Sequence, residues 1–143
     1  MKISDLLAEK GDTVEAISPA ESIASAVRRL TERGIGALVA SYGEHSVDGI
    51  ISERDVVRLL AVDGAAALER LVSDVMTSPV TTCQPDDEVT LLMSLMTDRR
   101  IRHVPVVDDG RLVGIVSIGD VVKSRVDQLE RDRKELLEYV SGR

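Results

Sequence analysis

Hydrophobic and polar residues follow two different periods along the chain, and each change of period marks a predicted element. Helical spacings of three and four residues connect two sets: Ile23, Ala26, Val27 and Leu30, then Val89, Leu92, Met93 and Met96. Short apolar runs at 37–40 and 103–107 predict buried strands. A further strand and a helix follow each run, so each half of the chain is predicted to form strand, helix, strand, strand and helix.

Five phrases occur twice in the same order, which indicates an internal duplication. The clearest pair is Gly-Ile-Ile-Ser-Glu-Arg-Asp at 49–55 and Gly-Ile-Val-Ser-Ile-Gly-Asp at 114–120. The phrases at 3–7 and 14–19 recur in the same way at 72–76 and 80–85. Those at 14–19 and 80–85 are short β-prone runs closed by Pro, and each is the predicted first strand of its half. We therefore predict a first repeat at 1–62, a connector with some helix at 63–71, a second repeat at 72–126, and a helical extension at 127–143.

The stretch from Asp120 to Val140 contains no Gly or Pro and predicts one long helix. Its apolar residues recur near helical spacing: Val122, Val126, Leu129, Leu136 and Val140. One interpretation is that this stripe packs on its own domain. The other, which we favour because the stretch extends beyond the repeat, is that its far end docks on a second copy of the chain.

Composition and charge exclude several classes of function. The 143 residues carry a net charge of −7 and include two Tyr but no Trp or Phe, which argues against nucleic-acid binding through phosphates or stacked bases. A single Cys cannot form an intrachain disulfide and fits a reducing compartment. Because neither a signal peptide nor a membrane-spanning apolar run is apparent, we expect a cytoplasmic protein that binds no membrane.

The sequence predicts no enzyme. His45, His103 and Cys83 are the only imidazole and thiol side chains, too few for a zinc site at the usual spacings. Nucleophile-elbow, phosphate-loop and dinucleotide-binding motifs are also missing from the sequence. We therefore expect no catalytic residues, no metal and no required cofactor.

The phrase that ends each repeat places Ser three residues before Asp, at Ser52 and Asp55 and again at Ser117 and Asp120. This spacing is typical of a capping box, in which both side chains bond to the first turn of a helix. A second interpretation uses the same geometry. A helix N-terminus attracts a phosphate, and an Asp that faces a cleft can accept hydrogen bonds from two ribose hydroxyls. Taken alone, the phrase favours capping.

Basic residues beside the second phrase strengthen the ligand interpretation. Arg102 and His103 open the middle strand of the second half, where Arg can pair with a phosphate and His can donate one more bond. The alternative is an ordinary ion pair with a nearby acid. The first half has Gly36-Ala37 at these positions, and its candidate phosphate partner is Arg54, whose second-half equivalent is Gly119. The two pockets are therefore predicted to differ.

The duplicated pattern, with its GIISERD and GIVSIGD phrases, resembles the cystathionine β-synthase (CBS) domain, and the tandem pair resembles a Bateman module. The resemblance extends from about Ile3 to about Val126. It implies an α+β fold in which two βαββα repeats pack about a pseudo-two-fold axis, with a long C-terminal helix and two clefts between the repeats.

The resemblance also implies that adenosine-containing ligands bind in the clefts: AMP, ADP, ATP, NAD or S-adenosylmethionine. It assigns ribose hydroxyls to Asp55 and Asp120, and ribose or phosphate to Ser52 and Ser117. The remaining residues that it assigns to nucleotide binding are Val14, Ala16, Val80 and Thr82 around adenine, Leu38 and Val104 as apolar walls with their neighbours Ala37 and Pro105, and Arg54, Arg102 and His103 towards phosphate. The second-half pocket is expected to be the stronger, and the first weak or empty.

Two functions are compatible with this resemblance. The first is a stand-alone regulatory module, commonly a homodimer, that senses a nucleotide and signals to a separate partner protein. The second is a ligand-free dimerisation scaffold, in which the Ser-x-x-Asp phrases serve only as helix caps.

Overall fold

The elements of the two halves follow matching orders in the computed structural model, which describes residues 1–11 and 13–142. The first half contains β1 (Ala16–Ile17), α2 (Ile23–Arg33), β2 (Ala37–Ala40), β3 (Gly49–Ser52) and α3 (Glu53–Asp63), preceded by α1 (Ile3–Lys10). A 3₁₀ helix at Gly64–Glu69 connects the halves. The second half contains α4 (Val72–Val75), α5 (Val89–Arg99), β4 (His103–Asp108), β5 (Arg111–Ser117) and α6 (Ile118–Val140). The predicted α+β fold with a long C-terminal helix is confirmed.

Each half builds a small sheet around one antiparallel pair. In the first half β1 runs parallel to β2, and β2 pairs antiparallel with β3. In the second half β4 pairs antiparallel with β5. The registers correspond, because Ala37 lies opposite Ser52 in one sheet and His103 lies opposite Ser117 in the other. His103 therefore takes the position that Ala37 occupies in the first half.

The second half was predicted to begin with a strand at 80–85, and this prediction was wrong. The segment 80–85 forms only a single parallel bridge, between Cys83 and Val106. In the first half, the N–H of Val39 donates to the carbonyl of Glu15 at 3.3 Å and lengthens the pairing of β1 with β2. Pro105 stands at the matching position of β4 and has no N–H to donate, so this bond cannot form.

The helices α1 and α4, which begin the two repeats, each pack on the core of the opposite half. Ile3, Leu6 and Leu7 of α1 belong to the core built from α5, β4, β5 and α6. Val72 of α4 belongs to the core built from α2, β2, β3 and α3. Matching backbone bonds fix both helices: the N–H of Ile3 donates to Asp87 and the N–H of Val72 donates to Glu21, each at 2.9 Å. Each core therefore combines the first helix of one repeat with the remaining elements of the other.

Two strand glycines allow these helices to approach closely. Gly49 in β3 lies under the Met76 side chain, just after α4, and Gly114 in β5 lies under the Leu7 side chain. A Cβ at Gly114 would stand 2.7 Å from a methyl carbon of Leu7, which is closer than non-bonded carbons approach. Glycine at both positions is thus required by the crossed packing of α1 and α4 rather than by a turn.

The apolar stripe of α6 does not pack on its own domain. The helix is held instead by a different face, on which Val121 and Ser124 are buried. The five stripe residues, Val122, Val126, Leu129, Leu136 and Val140, are exposed to extents that range from 47% at Val126 to 72% at Val140. Of the two interpretations of this helix, packing on its own domain is therefore wrong.

We expect Gly49→Ala to lower the free energy of unfolding, because the new methyl group would overlap the side chain of Met76. Overpacking of this kind typically costs about 1–3 kcal/mol. Urea denaturation of the two proteins measures the loss. Gly119→Ala is the matched control, since its Cβ would meet only the Ser117 hydroxyl at an ordinary 3.6 Å. Equal stabilities of Gly49→Ala and the wild type would show that the close approach is unimportant.

Candidate functional site

The Ser-x-x-Asp phrases form capping boxes at the junctions of β3 with α3 and of β5 with α6. The hydroxyl oxygen of Ser117 accepts from the N–H of Asp120 at 3.1 Å, and Asp120 Oδ2 accepts from the N–H of Ser117 at 2.9 Å. Ser52 and Asp55 repeat this pair at 3.3 and 2.9 Å. Within the described residues, capping uses Oδ2 of each Asp and leaves Oδ1 without a donor. Capping therefore leaves one oxygen of each half-buried carboxylate available to a ligand.

Residues of both halves meet beside the second capping box. A Cβ built on Gly36 would lie 3.1 Å from His103 Cε1 and Nε2, so the imidazole packs directly against the backbone of the first half. The carboxyl carbon of Glu53, at the start of α3, lies 4.0 Å from the same point. The surroundings of His103 and Asp120 thus include residues of the first half as well as the second. Sequence analysis did not identify Glu53, because its second-half equivalent is an uncharged residue, Ile118.

Burial lowers the pKa of His103 below its ordinary value. The carboxylates of Asp120 and Glu53 raise the pKa, and the cations of Lys10 and Arg102 lower it further, so the net direction is downward. The imidazole is therefore neutral at pH 7, with one N–H donor and one acceptor nitrogen. Of the predicted basic pair, only Arg102 contributes a full positive charge.

Lys10, at the C-terminal end of α1, reaches the predicted ribose carboxylate of the second cleft. Its ammonium donates to Asp120 Oδ2 at 2.6 Å and to the carbonyl oxygen of Ile115 at 2.7 Å. Burial raises the pKa of Asp120, but the hydrogen bonds from Lys10 and Ser117 outweigh burial and hold the pKa below its usual value. The contact was missed from the sequence because it depends on α1 packing against the opposite half.

Asp55 has no counterpart of this lysine among the residues that the structure describes. Helix α4 ends at Val75, after a single turn, whereas α1 continues to Lys10. In the part of the chain that the structure describes, Asp55 Oδ2 is bonded only by the backbone N–H of Ser52 at 2.9 Å and the hydroxyl of Ser52 at 3.0 Å. The two clefts are therefore electrostatically unequal, and in a way that the sequence did not predict.

The residues assigned to adenine differ between the halves in exposure and in strand pairing. Val14, Ala16 and Val80 are half-buried, and Thr82 is exposed. Ala16 pairs with Val39 in the register of β1 and β2, whereas Val80 and Thr82 precede the single bridge at Cys83. The first half therefore offers a more regular backbone edge than the second.

The predicted wall and phosphate residues separate into a buried and an exposed group. Leu38 and Val104 have no exposed surface and belong to the two cores, and Ala37 and Pro105 are buried beside them. Arg54 and Arg102 are exposed, and neither makes an ion pair with an acid within 1–11 and 13–142. The arginines are thus open to an anionic ligand, whereas the four predicted wall residues are buried and present little or no surface to one.

Other surface features lie away from these residues. A depression of about 470 Å³ between α1 and the second half is lined by Ser4, Leu7, Ala8, Gly11, Pro85, Asp108 and Val113. It contains none of the predicted nucleotide-binding residues. No group of three or more acidic, His or Cys side chains suited to a metal ion occurs in the described chain. Its helices also include none that is long and apolar enough to cross a membrane.

Comparison with known proteins gives one consistent family. The CBS domain model matches the chain twice, at residues 10–62 and 72–127. The CBS domain-containing protein CBSX3, mitochondrial, of Arabidopsis thaliana is 36% identical over 98% of this chain and 72% of its own length. A crystal structure of a CBS-domain containing protein from Agrobacterium tumefaciens superposes with a TM-score of 0.84 at 46% identity, covering 87% of this chain and 99% of that one.

A third relative was crystallised with ligands. The CBS domain pair of protein MJ0100, in complex with 5′-methylthioadenosine and S-adenosyl-L-methionine, superposes with a TM-score of 0.76 at 26% identity, over 90% of this chain and 98% of that one. Two family matches in tandem, the matching element order and the paired capping boxes agree, and the chain belongs to the CBS domain family as a tandem pair of CBS domains.

Proposed function

We propose that this CBS pair is a regulatory module that binds an adenosine-containing ligand, AMP, ADP, ATP or NAD, in the clefts between its repeats. The observation that carries the proposal is the pair of capping boxes at Asp55 and Asp120. Each holds a half-buried carboxylate by one oxygen and leaves the other free, beside a helix N-terminus. A carboxylate so placed can accept hydrogen bonds from ribose, and the helix N-terminus favours a phosphate.

Two further observations support this proposal. The related MJ0100 pair was crystallised with 5′-methylthioadenosine and S-adenosyl-L-methionine, both of which contain adenosine. Arg54 and Arg102, one in each half, are exposed cations without an ion-pair partner among the described residues, and could pair with a ligand phosphate.

A ligand-free scaffold is the second candidate function. The same capping boxes favour it, because they give hydrogen-bond partners to backbone N–H groups at the starts of α3 and α6 without any ligand. The two functions differ in what the carboxylates do, because a scaffold needs them only for stability.

We expect Asp55→Ala and Asp120→Ala each to weaken AMP binding at one cleft by roughly tenfold or more, since each removes charge-assisted hydrogen bonds to ribose. Isothermal titration calorimetry with AMP, ATP, NAD and S-adenosylmethionine measures the loss. AMP that lacks both ribose hydroxyls should bind the wild type and the variants equally weakly. Both variants should also lose about 1 kcal/mol of unfolding free energy as helix caps.

Asp5→Ala is the matched control for these variants. Asp5 accepts from the backbone N–H of Lys2 at 3.0 Å, as a cap at the start of α1, but it is exposed and lies outside the clefts. It should lower stability without changing nucleotide affinity. If all three variants lose stability without a change in nucleotide affinity, or if no nucleotide binds the wild type at millimolar concentration, the protein is a scaffold and not a sensor.

We propose further that the exposed stripe of α6 is the surface through which two copies associate and through which ligand binding reaches a partner protein. The five stripe residues recur at spacings of four, three, seven and four, which fit the seam of a paired helix, and Arg133 interrupts the stripe between Leu129 and Leu136. In this proposal, a ligand that binds one arrangement of the repeats more tightly shifts the population towards it.

Replacing Leu129 and Leu136 together by Ser should shift the molecular mass in solution from dimer towards monomer, because the substitutions remove apolar area from the seam. Analytical ultracentrifugation measures the mass. Leu91→Ser is the matched control, since Leu91 on α5 is 61% exposed and Leu136 is 63% exposed. A monomeric wild type, or a dimer that tolerates the double change, would contradict the assignment.

The regulatory role agrees with a small CBS pair and is proposed in preference to catalysis. A cytoplasmic location remains a prediction, and the Arabidopsis thaliana relative is named as mitochondrial.

A further inference from the structure

The two carboxylates that are proposed to bind ribose differ in their cationic contacts. Asp120 makes an ion pair with Lys10, at 2.6 Å, and Asp55 has no cationic partner among the described residues. Lys10 is also anchored by the carbonyl oxygen of Ile115 at 2.7 Å. Its ammonium therefore has two acceptors in the second half, and both partners of the ion pair are largely shielded, with side chains 29% and 25% exposed.

The ion pair occupies a position that a ribose would need. Asp120 Oδ2 already accepts from the N–H of Ser117 and from Lys10, which leaves Oδ1 as the free acceptor. Two adjacent ribose hydroxyls are held best when each donates to its own carboxylate oxygen. A ribose that takes both oxygens of Asp120 therefore has to displace the ammonium. At Asp55 the same position holds the hydroxyl of Ser52, at 3.0 Å, a neutral donor that can rotate away.

We propose that Lys10 is an intramolecular competitor for ribose at Asp120, so that the first cleft fills at lower ligand concentration than the second. This inference rests on the proposed function. It reverses the order expected from the sequence, in which Arg102 and His103 favoured the second cleft. Lys10 belongs to α1, so the packing of α1 on the second half sets the affinity of that cleft.

The direct experiment follows the two clefts separately by NMR. The backbone amides of Asp55 and Asp120 each report one cleft during a titration with adenosine. Adenosine is the probe because it carries the ribose hydroxyls without a phosphate, which would itself attract Lys10. In the wild type, the Asp55 amide should reach its midpoint at the lower adenosine concentration.

Lys10→Met should lower the midpoint at Asp120 by roughly three- to tenfold, the scale of a partly shielded ion pair, and leave the midpoint at Asp55 unchanged. Lys10→Gln should also lower the midpoint at Asp120, and it replaces Lys10→Met in the experiment if Lys10→Met does not fold. Lys2→Met is the matched control on the same segment, since its ammonium lies 3.9 Å from Asp86, outside the clefts. It should change neither midpoint.

A measurement without ligand tests the contact itself. The carboxyl group of Asp120 should titrate at higher pH in Lys10→Met than in the wild type, because the variant removes a hydrogen bond and a charge that lower its pKa. An unchanged titration would show that Lys10 does not engage Asp120 in solution and would overturn the inference.

The outcomes separate the two proposals. If adenosine shifts the amides but Lys10→Met leaves the Asp120 midpoint unchanged or raises it, the competition is wrong and the proposed function stands. If millimolar adenosine shifts neither amide in any variant, the proposed function fails and the competition fails with it.

Discussion

The crossed packing of α1 and α4 is the constraint on which the rest of the structure depends. Each short helix completes the core of the opposite half, and each is placed by backbone bonds and one strand glycine. Because a repeat of this size has little interior of its own, the exchange buries apolar surface that one repeat would expose. The two halves are thereby held together, because each contributes side chains to the core of the other.

This arrangement gives two similar but unequal sites. The capping boxes place Asp55 and Asp120 at matching junctions, and the strand registers place Ala37 and His103 at matching positions. The differences come from the loops and helix ends, where the repeats have diverged. Among these differences, the length of α1 matters most, because it brings Lys10 to Asp120.

Much of the fold could be predicted from the sequence, since the duplicated phrases and helical periods identified the repeats, most of the elements and the helix caps. The first strand of the second half could not, because its loss depends on Pro105 facing segment 80–85 across the sheet. The contact between Lys10 and Asp120 could not be predicted either, since the two residues lie far apart in sequence and meet only through the crossed packing. Local patterns identify elements, but not which half an element joins.

The capping carboxylates are proposed to face clefts that hold adenosine. A crystal structure of the protein grown with AMP tests this proposal most directly. We expect density for AMP between the repeats, with both ribose hydroxyls within hydrogen-bond distance of Asp55 and the phosphate at the start of α3. Clefts that remain empty at saturating AMP, or AMP bound elsewhere with Asp55 engaged only by Ser52, would contradict it.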